Sequence, residues 1–251
     1  MLSTNELKDF LDSKVELYND PNFIESDPIL IPHLFSKKED IEIIGFIIAT
    51  IAWGNRKSII NNGKKLVQIM GNQPHEFVMN YSSGKDFKFV HRTFNATDLD
   101  FFFRSLHRIY QKSSLEHIFL KHENHIGVKG RIASFRKIFL ETEHEKRSEK
   151  HISNPLQGSS AKRLNMFLRW MVRKDKKGVD FGIWNNISPS ELHLPLDIHT
   201  GNVARKLGIL QRKQNDWQAI EEVQKTLITL DQNDPVKYDF ALFGLGAFES
   251  F

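Results

Sequence analysis

The chain has 251 residues, with 35 Lys and Arg against 31 Asp and Glu, 20 phenylalanines and no cysteine. Its length suits one large domain or two packed lobes, and 40% hydrophobic residues supply a substantial core, which excludes a disordered chain. Without cysteine there can be no disulfide, thiolate zinc site, cysteine-bound iron–sulfur cluster or cysteine nucleophile. The longest apolar run, Ile43 to Gly54, is too short to span a bilayer, and the polar residues Ser3 to Lys8 do not read as a signal peptide. A soluble cytoplasmic protein is expected, nucleoid-associated if bacterial, with no membrane partner.

Along the chain the hydrophobic pattern is helical almost throughout. Asp40 to Trp53 is too densely apolar for a half-buried strand and long enough for a buried helix. Asn55 and Arg56 open a second helix through Met70, with Ile59, Ile60, Leu66, Val67 and Met70 as its apolar face. Phe87 to His91 is the one candidate strand. Thr97 is placed to cap a helix from Asp98 to Tyr110, whose Asp98 and Asp100 suit the helix dipole. Further helices are predicted over Ser114–Lys121, Gly130–Glu141 and Ser160 to about Lys174. Beyond a connector at Pro189–Pro195 come Ile198–Leu207, stopped by Gly208, and Trp217–Leu230, capped by Asp216. Pro235–Phe248 follows, with Pro235 at a first helical position. The pattern predicts an all-α protein, one compact unit over 1–251. Within it a helical lobe over 30–142 and a second lobe over 155–251 are separated by a cleft and joined by an exposed polar linker, 143–154.

The charge is uneven. From Lys146 to Lys177 there are ten basic residues, Lys146, Arg147, Lys150, Lys162, Arg163, Arg169, Arg173, Lys174, Lys176 and Lys177, opposed only by Glu149 and Asp175. That stretch carries +8 (ten minus two), so the rest of the chain sums to −4 against the overall +4. A single-sign patch suits a polyanion, most often nucleic acid, and a solvated helix face accounts for it as well.

Three strings bear on chemistry, the first two of them as a pair. In the first, Gly158, Ser159 and Ser160 form a turn that opens a helix carrying Lys162, Arg163, Arg169 and Arg173. Exposed first-turn amides hold phosphate, and the positive end of the helix dipole disfavours an ammonium at Lys162, as a nucleophilic amine requires. A phosphate-clamping or solvated lysine is the plainer alternative. In the second, Leu194-Pro195-Leu196-Asp197-Ile198-His199 leads into a helix, where Asp197 is a natural N-cap. Capping alone would explain that aspartate.

Together these strings resemble the helix-hairpin-helix DNA glycosylase superfamily, nearest its archaeal 8-oxoguanine glycosylase branch. Arg169-Trp170-Met171-Val172-Arg173 and Pro195-Leu196-Asp197-x-His199 are also similar to an uncharacterised bacterial family allied to it. The likeness covers roughly 155–208, extends to 234–246 and is weaker over 41–56. It implies a lysine nucleophile at Lys162 and a catalytic aspartate at Asp197, with Gly158, Ser159, Ser160, Arg163, Arg169, Arg173 and His199 on the DNA. Only Gly158 stands where the commonest hairpins carry two glycines, and Asn202 stands where many members carry arginine.

A third string, Asp234 to Gly246, places Asp239 and Phe243 four residues apart, on one helical face. The archaeal branch has an aspartate and an aromatic at this interval that contact the damaged base, so the pair is expected in a base pocket with Trp53, Asn55 and Arg56. For Phe243 and Trp53 a place in the core is the plainer alternative. Asp239, among Tyr238, Phe240, Leu242 and Phe243, needs a partner if buried, for which Arg56 is one candidate. His117, His122 and His125 lack any HExxH-type spacing, so no metal is expected, and no cofactor.

The resemblance implies a DNA repair glycosylase/lyase. Damaged duplex DNA, its base an oxidised purine by likeness alone, would be gripped at the hairpin and the base flipped. Asp197 would stabilise a cationic sugar and help to deprotonate the amine, and Lys162 would attack the anomeric carbon. Two alternatives stay open: a catalytically inactive nucleic-acid-binding protein of the same fold, and a helical interaction protein in which these strings only cap and pack. A monomer is expected.

Overall fold

The computed structural model describes residues 2–84, 87–121, 127–249 and 251, and among these the protein is mostly helical. The described residues form eleven α-helices: α1 (Thr4–Tyr18), α2 (Lys38–Ile51), α3 (Arg56–Ile69), α4 (Pro74–Met79), α5 (Ala96–Tyr110), α6 (Leu115–Leu120), α7 (Val128–Phe139), α8 (Lys162–Val172), α9 (Ile198–Lys206), α10 (Trp217–Leu230) and α11 (Tyr238–Phe248). The predicted strand shrinks to a two-residue arm, Val90–His91, paired antiparallel with Phe94–Asn95. His122 and His125 lie outside the described residues.

The chain divides into two compact units, Ile24–Ser153 and Met1–Phe23 with Asn154–Phe251. The N-terminal segment therefore joins the C-terminal unit, which the hydrophobic pattern did not foretell. Its helix, α1, buries only Leu7 and Leu11 and gives a weak apolar signal. Gly244 explains its docking on α11: a Cβ there would lie 2.1 Å from a Tyr18 ring carbon, so only glycine admits the ring.

In the Ile24–Ser153 unit every residue of α2 from Ile41 to Ile51 is buried, as its dense apolar pattern predicts, and the acid among them, Glu42, accepts the Tyr110 hydroxyl at 2.5 Å. Phe46 stacks on Phe102 with centroids 5.6 Å apart and meets Phe135 and Phe139 edge-on. Rings at 5–6 Å add to area burial, so α2, α5 and α7 share a phenylalanine-rich core.

Two expectations need correction here. Asn95, not Thr97, caps α5: its side chain accepts from the Thr97 and Asp98 amides, while Asp98 accepts the Asn95 N–H in return. The stretch 143–154 is not an exposed linker. Lys146–His151 forms a 3₁₀ turn whose Ser148 and His151 are buried against Asp98, itself fully buried. Ser148 donates to Asp98, Arg147 pairs with it at 3.0 Å and His151 Nε2 approaches to 3.4 Å. A buried carboxylate demands such partners, and the polar segment supplies them.

Candidate active site

The residues around Gly158 and Lys162 belong to the Asn154–Phe251 part of the second unit. Asn154 caps a 3₁₀ turn, Pro155–Gln157, which ends on Gly158 in the left-handed region with φ +87°. The Trp217 amide donates to the Gly158 carbonyl at 2.9 Å, and Ser159 bridges to Asp216. Ala161 then stands at the start of α8 with φ +46°, a conformation costing an alanine about 1 kcal/mol, and no side chain caps the helix. Helix α8 thus begins at Lys162, two residues later than the sequence suggests, and Ser159 and Ser160 precede it.

Lys162 occupies the first helical position of α8, and its Nζ lies 3.0 Å from Asp197 Oδ2. The lysine side chain is about one-third exposed and the aspartate mostly buried. Asp197 is the N-cap of α9: Oδ1 accepts the Thr200 amide at 2.9 Å, and the Thr200 hydroxyl accepts the Asp197 N–H at 2.8 Å. The Asn215 side-chain amide holds the Asp197 carbonyl at 2.8 Å. Capping and pairing coexist because they use different oxygens of one carboxylate. Burial raises the proton affinity of Asp197, but the Lys162 charge and the Thr200 hydrogen bonds outweigh it and hold the carboxyl below its usual range.

Asp239, in the first turn of α11, is also buried, and its partner is Arg169 rather than Arg56. Arg169 Nε reaches Asp180 Oδ1 at 3.1 Å, and Arg173 Nη1 reaches Asp180 Oδ2 at 3.2 Å. Arg173 also binds Asp234 at 2.9 Å and Asp175 at 2.8 Å. Both guanidinium groups lie over the Phe240 ring, at 4.4 and 5.3 Å. Arg169 and Arg173 are 5% and 2% exposed, so neither can grip a DNA phosphate as the sequence reading expects. They are enclosed because the chain is buried on every side from Phe167 to Arg173, and two cations there require carboxylates.

The +8 stretch is therefore not all on the surface. Lys146, Arg147 and Lys150 belong to the Ile24–Ser153 unit, and Arg169 and Arg173 are internal. Arg163 is half-buried, its guanidinium lowered to about 10 by burial. Lys174 and Lys176 remain exposed, as does His199, whose Cβ lies where Gly246 leaves room for it.

Of the expected base-pocket residues, Phe243 is half-buried and packs edge-on against Phe23 and Phe248, at 6.1 and 6.2 Å. Trp53, Asn55 and Arg56 belong to the Ile24–Ser153 unit. There Asn55 caps α3 through the Ser58 amide, and the Arg92 guanidinium covers the Trp53 ring at 4.5 Å. His91 donates to the Trp53 carbonyl at 3.2 Å, fixing that junction. Asp180, Thr200 and Arg92 escaped the sequence reading. The sequence offers no signal for Asp180: the arginines it pairs with, 11 and 7 residues earlier, read as part of the basic stretch.

Among the described residues no group of three or more His, Cys, Asp or Glu is arranged to hold a metal ion. No helix among them is long and apolar enough to cross a membrane. No curated protein and no solved structure matches the chain. A family model described as a protein of unknown function, DUF2400, matches residues 27–248, and with most of its length matched the chain belongs to the DUF2400 family.

Proposed function

We propose that the protein is a DNA repair glycosylase/lyase that removes a damaged base through Lys162 and Asp197, on a helix-hairpin-helix glycosylase-like fold. The observation that supports this reading best is the 3.0 Å pair itself. A lysine that opens one helix and an aspartate that opens another, 35 residues later, meet although nothing in local structure requires it.

Such a pair suits covalent chemistry at a sugar. As the glycosidic bond weakens, positive charge develops on the anomeric carbon and ring oxygen, and a fixed carboxylate nearby stabilises it. A lysine amine attacks that carbon and yields an imine, from which strand cleavage by elimination follows. The exposed cations Lys174 and Lys176 supply phosphate attraction. An oxidised purine is the substrate by resemblance.

Borohydride reduction tests the reading. Incubation with duplex DNA carrying 8-oxoguanine or an abasic site is expected to give a covalent protein–DNA adduct in the wild type and none in Lys162→Ala. An adduct that persists in Lys162→Ala overturns the nucleophile assignment. A second reading, a nucleic-acid-binding protein without catalysis, is favoured by the capping role of Asp197 and predicts salt-dependent binding with no adduct.

A further inference from the structure

What brings Lys162 to Asp197 lies outside both of their helices. Helix α9 packs along α11 and has little direct packing against α8. The starts of α8 and α9 are instead tied by one short segment, Asn215–Trp217, at the head of α10. On one side its backbone pairs with the turn that leads into α8. The Trp217 amide donates to the Gly158 carbonyl at 2.9 Å, and Asp216 bridges antiparallel to Ser159, three residues before Lys162. On the other side the Asn215 side-chain amide donates to the Asp197 carbonyl at 2.8 Å.

Asn215 is itself held. Its Oδ1 accepts from Arg205 Nη2 at 2.6 Å, and Arg205 also donates to the Arg212 and Lys213 carbonyls, both at 2.8 Å. A side-chain amide has one donor end and one acceptor end. A guanidinium at its oxygen and a carbonyl at its nitrogen therefore leave it one orientation. Gly201 of α9 makes room for it: a Cβ there would lie 2.7 Å from Asn215 Oδ1 and 2.9 Å from Nδ2. Glycine inside a helix is less favourable than alanine, and Gly201 is not among the residues with positive φ. The amide it admits, not its backbone, accounts for the glycine. Among the described residues neither Asn215 nor Gly201 hydrogen-bonds the Lys162 amine or the Asp197 carboxylate, whose partners are each other and Thr200.

Resting on the lysine reading above, we propose that Asn215 is a positioning residue for the Lys162–Asp197 pair. Backed by Arg205 and seated on Gly201, it fixes the main chain of Asp197, while the backbone of Asp216 and Trp217 fixes the turn before Lys162. The segment thereby sets the separation at which amine and carboxylate meet one sugar carbon. The lysine side chain is about one-third exposed, and an ion pair of that kind does little to hold its own geometry. A reaction at C1′ needs the geometry held, because misplacement by about 1 Å can cost about 10²-fold in rate.

The test is the single-turnover rate of borohydride-trapped adduct formation on a duplex with an abasic site, with the urea midpoint of each variant measured beside it. Asn215→Ala is expected to be about 10–10²-fold slower than the wild type. Asn215→Asp keeps the acceptor for Arg205 but sets an oxygen against the Asp197 carbonyl, and is expected to be slowed as much. Gly201→Ala favours the helix yet displaces the amide, so it is expected to be about 10-fold slower with no fall in its urea midpoint. In an Asp197→Asn background the further effect of Asn215→Ala is expected to shrink to within about 2-fold, because Asn215 acts through that carboxylate. A second readout needs no DNA: acetic anhydride labelling of Lys162, followed by mass spectrometry. Labelling is expected to be about 5-fold faster in Asn215→Asp, the worth of one lost hydrogen bond. Wild-type rates and labelling in Asn215→Asp and Gly201→Ala, or an Asn215→Ala penalty undiminished in Asp197→Asn, overturn the positioning role alone. Absence of any adduct in the wild type overturns the lysine reading, and the labelling then still decides whether Asn215 sets the pair.

Discussion

Lys162 Nζ and Asp197 Oδ2 meet at 3.0 Å across 35 residues, and the other oxygen of the same carboxylate closes the first turn of α9. One side chain thus holds a helix end and an ammonium group together. The two roles are separable, because a helix cap needs an acceptor oxygen while an ion pair needs a charge.

Asp197→Asn is expected to keep the cap through its amide oxygen and to lose the charge. Asp197→Ala loses both, and its unfolding free energy in urea should fall by about 1 kcal/mol more than that of the asparagine variant, the usual worth of an N-cap. Adduct formation should be impaired similarly in both. If the asparagine variant retains full adduct formation while the alanine variant is merely unstable, the aspartate serves structure alone.

How much of this was legible beforehand depends on whether the partner is near in sequence. The Asp197 cap and the Asn55 cap follow from one residue type placed before an apolar-periodic segment, and α2 follows from its buried run. Arg169 does not. Its carboxylates lie 11 and 70 residues away, so the sequence shows only a cation in a basic stretch, indistinguishable from a surface charge. The same holds for Asp98, whose partners Arg147, Ser148 and His151 arrive from a polar segment that reads as a linker. Helix α1 is hidden for another reason: two buried leucines are too few to mark a face.

Asp98 gives the Ile24–Ser153 unit a pH dependence of definite sign. Burial raises its carboxyl, but hydrogen bonds from His151, Ser148 and the Asn95 amide prevail and hold it well below the usual carboxylate range. A carboxyl depressed on folding adds stability that is complete above its unfolded value of about 4 and is lost as pH falls through the folded value. Asp98→Asn should therefore cost about 3 kcal/mol at pH 7, the lower end for a broken buried pair because Arg147 is partly exposed. Chemical denaturation at a series of pH values should show the gap from the wild type narrowing below pH about 4. A gap that does not change with pH would mean that the lost hydrogen bonds, and not the charge, set the cost.

Arg173 and Lys176 carry the same charge in the same basic stretch, yet one is buried among three carboxylates and the other is exposed. Removing the first takes the paired cation from Asp175 and Asp234 and leaves Asp180 to Arg169 alone, so Arg173→Met is expected to lower stability by about 3–5 kcal/mol. Lys176→Ala, with no such partners to strand, should leave stability within about 0.5 kcal/mol of the wild type. On DNA the ranking reverses. A solvent-facing cation that neutralises a phosphate releases about one counterion, so Lys176→Ala should reduce the slope of log K against log salt by about 1, uniformly across sequences. Arg173→Met, measured below its unfolding temperature, should leave that slope unchanged. An equal loss of slope in both variants would place Arg173 on the DNA surface and contradict its burial.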